Sequence, residues 1–152
     1  MPPYIVLDAS VAGAWIFAEI FSSKAQPVLE AVAARRVVAL VPDRFAEEML
    51  RVCQKKTLPP PIGANILPEE AWERYMEVMT LPIVFMPSKE LHERAWHLCR
   101  HADGLTTHDA LYLALAEHWD ADLYTLDALL AKAANVTLSC EAFDLRTRDF
   151  TV

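Results

Sequence analysis

Tyr4-Ile5-Val6-Leu7-Asp8-Ala9-Ser10 is a short apolar run that ends directly on an acid. A run without polar alternation reads as a strand buried on both faces. The same form returns along the chain. Val37 to Val41 is a second run, closed by Pro42; Ile83 to Met86 is a third. Asp122-Leu123-Tyr124-Thr125 is a fourth, ending near Asp127, and Val136 to Leu138 is predicted as a fifth. Helical patterns separate these runs. One starts near Val11, one spans Lys24 to Arg35, and one spans Arg44 to Lys56 with Asp43 expected as its N-cap. Pro68 opens a helix carrying Trp72, Tyr75, Met76 and Met79 on one face. Ser88 is expected to cap a helix running to about His101, and Thr107 a very apolar helix to about Trp119. Strands alternating with helices predict a three-layer α/β/α fold with a central, mainly parallel sheet of four to five strands. In such sheets ligands gather beyond the carboxyl ends of the strands. Acids placed just there are the residues to follow.

Composition limits the alternatives. Apolar residues make up 54% and charged residues 23% of 152 residues, which suits one globular domain spanning 1–152. No repeat or long linker divides the chain; Pro59-Pro60-Pro61 with Gly63 is a stiff loop between two helices. No apolar stretch is long enough for a membrane span. Met1-Pro2-Pro3-Tyr4 lacks a secretory start, so a cytoplasmic location is expected. Cys53, Cys99 and Cys140 are few, odd in number and far apart, which suggests no disulfide framework. The net charge of −7 is uneven: residues 1–76 carry 8 basic and 9 acidic side chains, residues 77–152 carry 6 and 12. This balance argues against bulk attraction to nucleic acid, which needs Lys and Arg to neutralise phosphate. A metal-dependent nuclease is not, because a bound cation offsets the charge of its own site.

Four acids stand out. Asp8 and Asp127 end strands, where each has an ordinary alternative as a helix cap. Glu47 and Glu48 are separated by helical phase: Phe45, Met49 and Val52 form an apolar stripe, and only Glu48 falls within it. A carboxylate there is costly unless it is paired with an arginine or binds a cation. Asp109 shares a face with Tyr112, Leu113 and Ala116 on a helix with little polar surface. Its ordinary role would be to favour the helix dipole, yet Thr107 is expected to hold the cap. Four carboxylates gathered at one sheet edge would repel one another without a cation. Hard oxygen donors favour Mg²⁺ or Mn²⁺, and such ions suit phosphodiester hydrolysis.

With these residues in place, the chain resembles the PIN-domain ribonucleases, in particular the VapC toxins of toxin–antitoxin pairs. Ile5 to Ser10 is similar to the family's first strand and acid, and Val41-Pro42 with Phe45 and Glu48 to the second motif. Thr107 to Ala116 is similar to the third motif, and Ala121 to Asp127 to the fourth. The likeness runs from Tyr4 to about Val136. It implies a Mg²⁺- or Mn²⁺-dependent endoribonuclease with Asp8, Glu48, Asp109 and Asp127 as metal-binding catalytic acids. It also implies Ser10 and Thr125 as hydroxyl contacts to metal or phosphate, a small antitoxin as partner, and a homodimer. Fold analogy puts antitoxin docking near Trp15, Ile16 and Phe17. Two departures bear on substrate preference: Arg51 stands where many relatives have Asn, and Ala128 and Leu129 where many have basic residues.

Other readings fit less well. A haloacid-dehalogenase phosphatase needs a second Asp two residues after Asp8, where Ser10 stands. The pair His97 and His101 lacks the Glu of a zinc-protease motif, since Leu98 follows His97. A PIN-like scaffold or RNA-binding module without turnover would be expected to lose an acid, and all four positions are filled. For RNA contact, Arg44, Arg51 and Lys55 share roughly one helical face, with Lys56 close by; a solvated charged face is the alternative.

Overall fold

The computed structural model describes residues 1–137 and 141–151. Five strands, β1 (Tyr4–Leu7), β2 (Val38–Pro42), β3 (Ile83–Met86), β4 (Asp122–Thr125) and β5 (Ala142–Asp144), form one sheet in the order β3-β2-β1-β4-β5. Every neighbouring pair is parallel. Parallel pairing requires crossovers, and the helices among the described residues supply them. These are α1 (Ala9–Ile16), α2 (Ser22–Ala33), α3 (Phe45–Lys56), α4 (Pro68–Met79), α5 (His92–His101), α6 (Thr107–Trp119) and α7 (Ala128–Thr137). A short 3₁₀ turn, Lys89–Leu91, precedes α5.

The central strands are apolar because helices cover them on both sides. Val6, Leu7, Ala39, Val41 and Leu123 have no exposed surface. One helix group is α1 to α4, packed on one another; in the other, α5 packs on α6, which crosses β1, β2 and β4. Ala110 to Ala116 of α6 are buried without a break, which explains a helix apolar all round. The edge strand β3 differs: Val84 and Phe85 remain exposed. Among the described residues, no helix is long and apolar enough to cross a membrane.

Several helix ends differ from the sequence expectation, and each has a local cause. Arg44, not Asp43, occupies the N-cap of α3. The Asp43 carboxylate instead accepts the Ser88 hydroxyl and, at 3.4 Å, the Ser88 amide. That one contact, joining the ends of adjacent strands β2 and β3, removes both expected side-chain caps. Thr106 rather than Thr107 caps α6, one residue earlier than expected. On α4, Ala71 and Val78 are the buried positions, whereas Trp72 and Met76 are exposed. The fifth strand lies at Ala142–Asp144; Val136 belongs to α7, and Leu138 lies outside the described residues. Cys53 and Cys99 are free thiols, and Cys140 is also outside the described residues. Ile16 and Phe17 are core residues, and Trp15 is partly exposed and packs against the core. Between α1 and α2, Ile20 is the exposed apolar side chain.

Candidate active site at the carboxyl edge of the sheet

Parallel strands end on the same side, so β1 and β4 deliver Asp8 and Asp127 to one edge. The Asp8 amide bonds the Tyr124 carbonyl at 3.1 Å, fixing the first acid beside the end of β4. Asp8 is 7% exposed. It sits at the N-cap of α1, yet its side chain caps nothing. Ser10 and Thr125 both donate to its Oδ2, at 2.5 and 2.8 Å. Their oxygens accept in turn, from the Leu126 amide at 3.1 Å and the Asp127 amide at 2.9 Å. Burial pushes the Asp8 carboxyl above its ordinary value; the two hydroxyls oppose the rise, and Asp109 and Asp127 add to it.

Glu48 meets the phase argument made from sequence: Glu47 is exposed, Glu48 half-buried beside fully buried Phe45 and Met49. Its partner is not an arginine. The Tyr112 hydroxyl, from α6, donates to Glu48 Oε2 at 2.8 Å, and His108 Nδ1 stands 4.0 Å from Oε1. Desolvation lifts the Glu48 carboxyl to about 7; Tyr112 opposes this, Asp8 and Asp109 reinforce it, and Arg44 lowers it slightly. Tyr112 is itself 1% exposed, and burial beside these acids holds its phenol well above the usual value.

Asp109 and Asp127 do perform the ordinary jobs weighed for them. Asp109 closes a capping box as the third residue of the helix: Thr106 Oγ1 accepts from the Asp109 amide at 3.2 Å. The Thr106 hydroxyl and amide donate back to Asp109 Oδ2, at 2.7 and 3.3 Å. Asp127 Oδ1 accepts the Leu129 and Leu130 amides at 2.8 and 3.2 Å, capping α7. Neither job uses the whole carboxylate. Among the described residues the hydrogen bonds of all four acids fall on one oxygen, leaving Asp8 Oδ1, Glu48 Oε1, Asp109 Oδ1 and Asp127 Oδ2 without one. Among the described residues none of the four pairs with lysine or arginine.

Asp109 and Asp127 are near enough to raise the proton affinity of Asp8, and Asp8 and Asp109 that of Glu48, but the four do not close on a common point. Among the described residues no three His, Cys, Asp or Glu side chains already form a cage for an ion. Each acid is instead turned toward its hydroxyl or amide partner. The donor set still fits a hard divalent cation: one buried and one half-buried carboxylate, all oxygen donors, and, among the described residues, no lysine or arginine ion-paired with them.

Of the basic residues singled out from sequence, Arg44 lies one turn from Glu48, whose amide bonds the Arg44 carbonyl at 3.0 Å. Arg51 is exposed further along α3. Lys55 lines a separate cavity with Lys56 and Gly63, about 16 Å along the helix axis from Arg44. The three do not form one patch at the acids. Two neighbours were not foreseen. Tyr112 was read only as part of an apolar face, although a buried tyrosine hydroxyl requires a partner. Arg146 follows β5 and is clamped by Asp144 at 2.7 and 2.9 Å. Because Thr125 pairs with Asp144, Arg146 and Asp127 each lie two residues beyond the paired position on adjacent strands.

The PIN domain family model matches residues 5–136. The chain belongs to the PIN-domain family. No curated protein sequence matches it. Among solved structures, the PIN domain here is similar to VapC20 of Mycobacterium tuberculosis, a toxin that cleaves the sarcin-ricin loop. That match has 14% identity and a TM-score of 0.63, covering 85% of this chain and 94% of that one. It is also similar to VapBC2 of Rickettsia felis, solved on a promoter DNA fragment, with 13% identity, a TM-score of 0.62 and coverage of 91% and 98%. FitAcB of Neisseria gonorrhoeae matches with 14% identity and a TM-score of 0.59, over 95% of this chain and 99% of that one. At these identities the likeness establishes the fold.

Proposed function

We propose that this PIN domain, residues 1–152 as one unit, is a divalent-metal-dependent endoribonuclease acting as the toxin of a toxin–antitoxin pair. One observation carries the reading: Asp8 is buried at the sheet edge beside Glu48, Asp109 and Asp127, and among the described residues no lysine or arginine pairs with any of them. Asp8, Glu48, Asp109 and Asp127 are the residues that would hold Mg²⁺ or Mn²⁺, through the oxygens their hydrogen bonds leave free. Bound there, the ion supplies Lewis acidity toward phosphate and lowers the pKa of water.

The chain's own groups prepare that chemistry. Ser10 and Thr125 fix Asp8 by its Oδ2 and so orient the other oxygen. Tyr112 does the same for Glu48 from the neighbouring helix. Arg44, one turn before Glu48 and in no ion pair among the described residues, offers positive charge to a phosphodiester backbone reaching the acids. A soluble antitoxin partner, a homodimer and a cytoplasmic location belong to the same proposal and rest on the family resemblance.

The test is a ribonuclease assay with a Mn²⁺ titration on wild type and Asp8→Asn. Cleavage that requires Mn²⁺ and is lost with the substitution is expected. No cleavage by wild type, together with unchanged metal affinity in Asp8→Asn, would leave a non-catalytic RNA-binding module as the better reading.

A further inference from the structure

We propose that the cavity between α3, α5 and α6 is a nucleobase subsite for a single-stranded RNA substrate, with Trp96 as its stacking face. The inference deepens the ribonuclease reading and rests on it. The cavity has a volume of about 220 Å³ and is lined by Arg44, His92, Ala95, Trp96, Thr107 and Leu111. Two of its walls lead directly to the acids. Arg44 is one turn from Glu48, and Thr107 is two residues before Asp109.

The lining suits a planar heterocycle with polar edges. Ala95 and Leu111, both buried, make an apolar floor, and Trp96 stands over it with 58% of its surface exposed. Among the described residues Trp96 stacks on no other ring, and Arg44 makes no ion pair. Arg44, His92 and Thr107 offer donors and acceptors at the rim. The volume is below the roughly 300–1,000 Å³ of sites for drug-sized ligands, so a single base is a better match than a larger ligand. An aromatic face accepts any base, because every base has a π surface. An arginine beside it can add stacking or an edge hydrogen bond.

A second cavity continues the path. It is about 530 Å³, is lined by Asp43, Arg44, Glu47, Ser88, Lys89 and His92, and so shares Arg44 and His92 with the first. A strand whose base is splayed against Trp96 has Arg44 and Lys89 available to its flanking phosphates and the acids one turn away. Splaying requires an unpaired nucleotide, so single strands should bind in preference to duplex. A second copy of this chain covering Trp96 is the competing occupant.

The test uses the full-length protein and a fluorescent 10-nucleotide single-stranded RNA, with anisotropy read in Ca²⁺ and intact RNA confirmed on a gel. Trp96→Ala should weaken binding about ten-fold or more, and Trp96→Phe should recover most of the loss. Scanning an abasic nucleotide along the RNA should find one position at which wild type loses a similar factor and Trp96→Ala loses none. Equal affinity of wild type and Trp96→Ala overturns the subsite. So does a wild-type scan with no sensitive position, or the same scan profile in both proteins. A change of oligomeric state in Trp96→Ala, read by sedimentation velocity, would assign the residue to contact between copies instead. If wild type binds RNA and cleaves it with Mn²⁺ while these results fail, the subsite alone falls. If wild type neither binds nor cleaves RNA, the ribonuclease reading falls and takes the subsite with it.

Discussion

Replacing Glu48 by glutamine should stabilise the metal-free protein, and the size of the gain can be worked out from the site. Glu48 is lifted from 4.5 to about 7, chiefly by desolvation. At about 1.4 kcal/mol per pH unit, ionising it in the fold costs roughly 3 kcal/mol relative to the unfolded chain. The sign follows from proton binding. The folded state keeps this proton to higher pH than the unfolded state does, so the cost is absent below pH 4.5. It grows between pH 4.5 and 7 and is complete above 7. Glutamine keeps an oxygen that can accept the Tyr112 hydroxyl and carries no charge. In EDTA at pH 8, Glu48→Gln should therefore exceed wild type by about 2–3 kcal/mol in urea unfolding followed by circular dichroism. At pH 4 the two should coincide. Saturating Mn²⁺ should narrow or reverse the difference, because wild type, with one more carboxylate ligand, gains more from ligation. Parallel stability profiles from pH 4 to 8.5, with no gain at pH 8, would refute the claim that this carboxylate is held against its charge.

Three further outcomes follow from the same contacts. Tyr112→Phe removes the Glu48 hydrogen bond and should cost about 1–2 kcal/mol of stability in urea unfolding, with weaker Mn²⁺ binding by calorimetry. Thr106→Ala breaks the capping box and should cost about 1 kcal/mol while changing Mn²⁺ affinity little; Asp109→Ala should lose both. Arg44→Ala should lower RNA affinity and reduce its logarithmic salt dependence by about one unit, whereas Lys55→Ala, at the far end of α3, should leave the salt dependence unchanged.

Much of the fold was legible because parallel sheets leave a simple trace. Strands buried on both faces have no alternation to blur them, and Tyr4–Leu7 emerges with its expected bounds; the edge strand Ile83–Met86 does so too, as an unbroken apolar run although it is half-exposed. The phase that separated Glu48 from Glu47 was equally plain, since helical period fixes it. Caps were harder, because the residue that caps depends on how the preceding loop arrives. A shift of one position had consequences for function. With Thr107 as the cap of α6, Asp109 had no obvious local duty; with Thr106 as the cap, it is the acid that closes a capping box. The acid therefore has a structural task as well as the one proposed for it. Contacts between distant segments left no sequence signal. Tyr112 and Glu48 are 64 residues apart, and Arg146 reaches the edge only through the register of β5 on β4. The fifth strand was placed too early because Val136 is apolar enough for either a strand or the end of α7.

The central claim is that the acids at the carboxyl edge of the sheet bind one or more divalent cations. Crystals of the wild-type protein soaked in Mn²⁺, with anomalous scattering recorded, test it most directly. The expected result is a peak ligated by Asp8 together with at least two of Glu48, Asp109 and Asp127. No peak at that edge under saturating Mn²⁺, or a peak held by other residues, would contradict it.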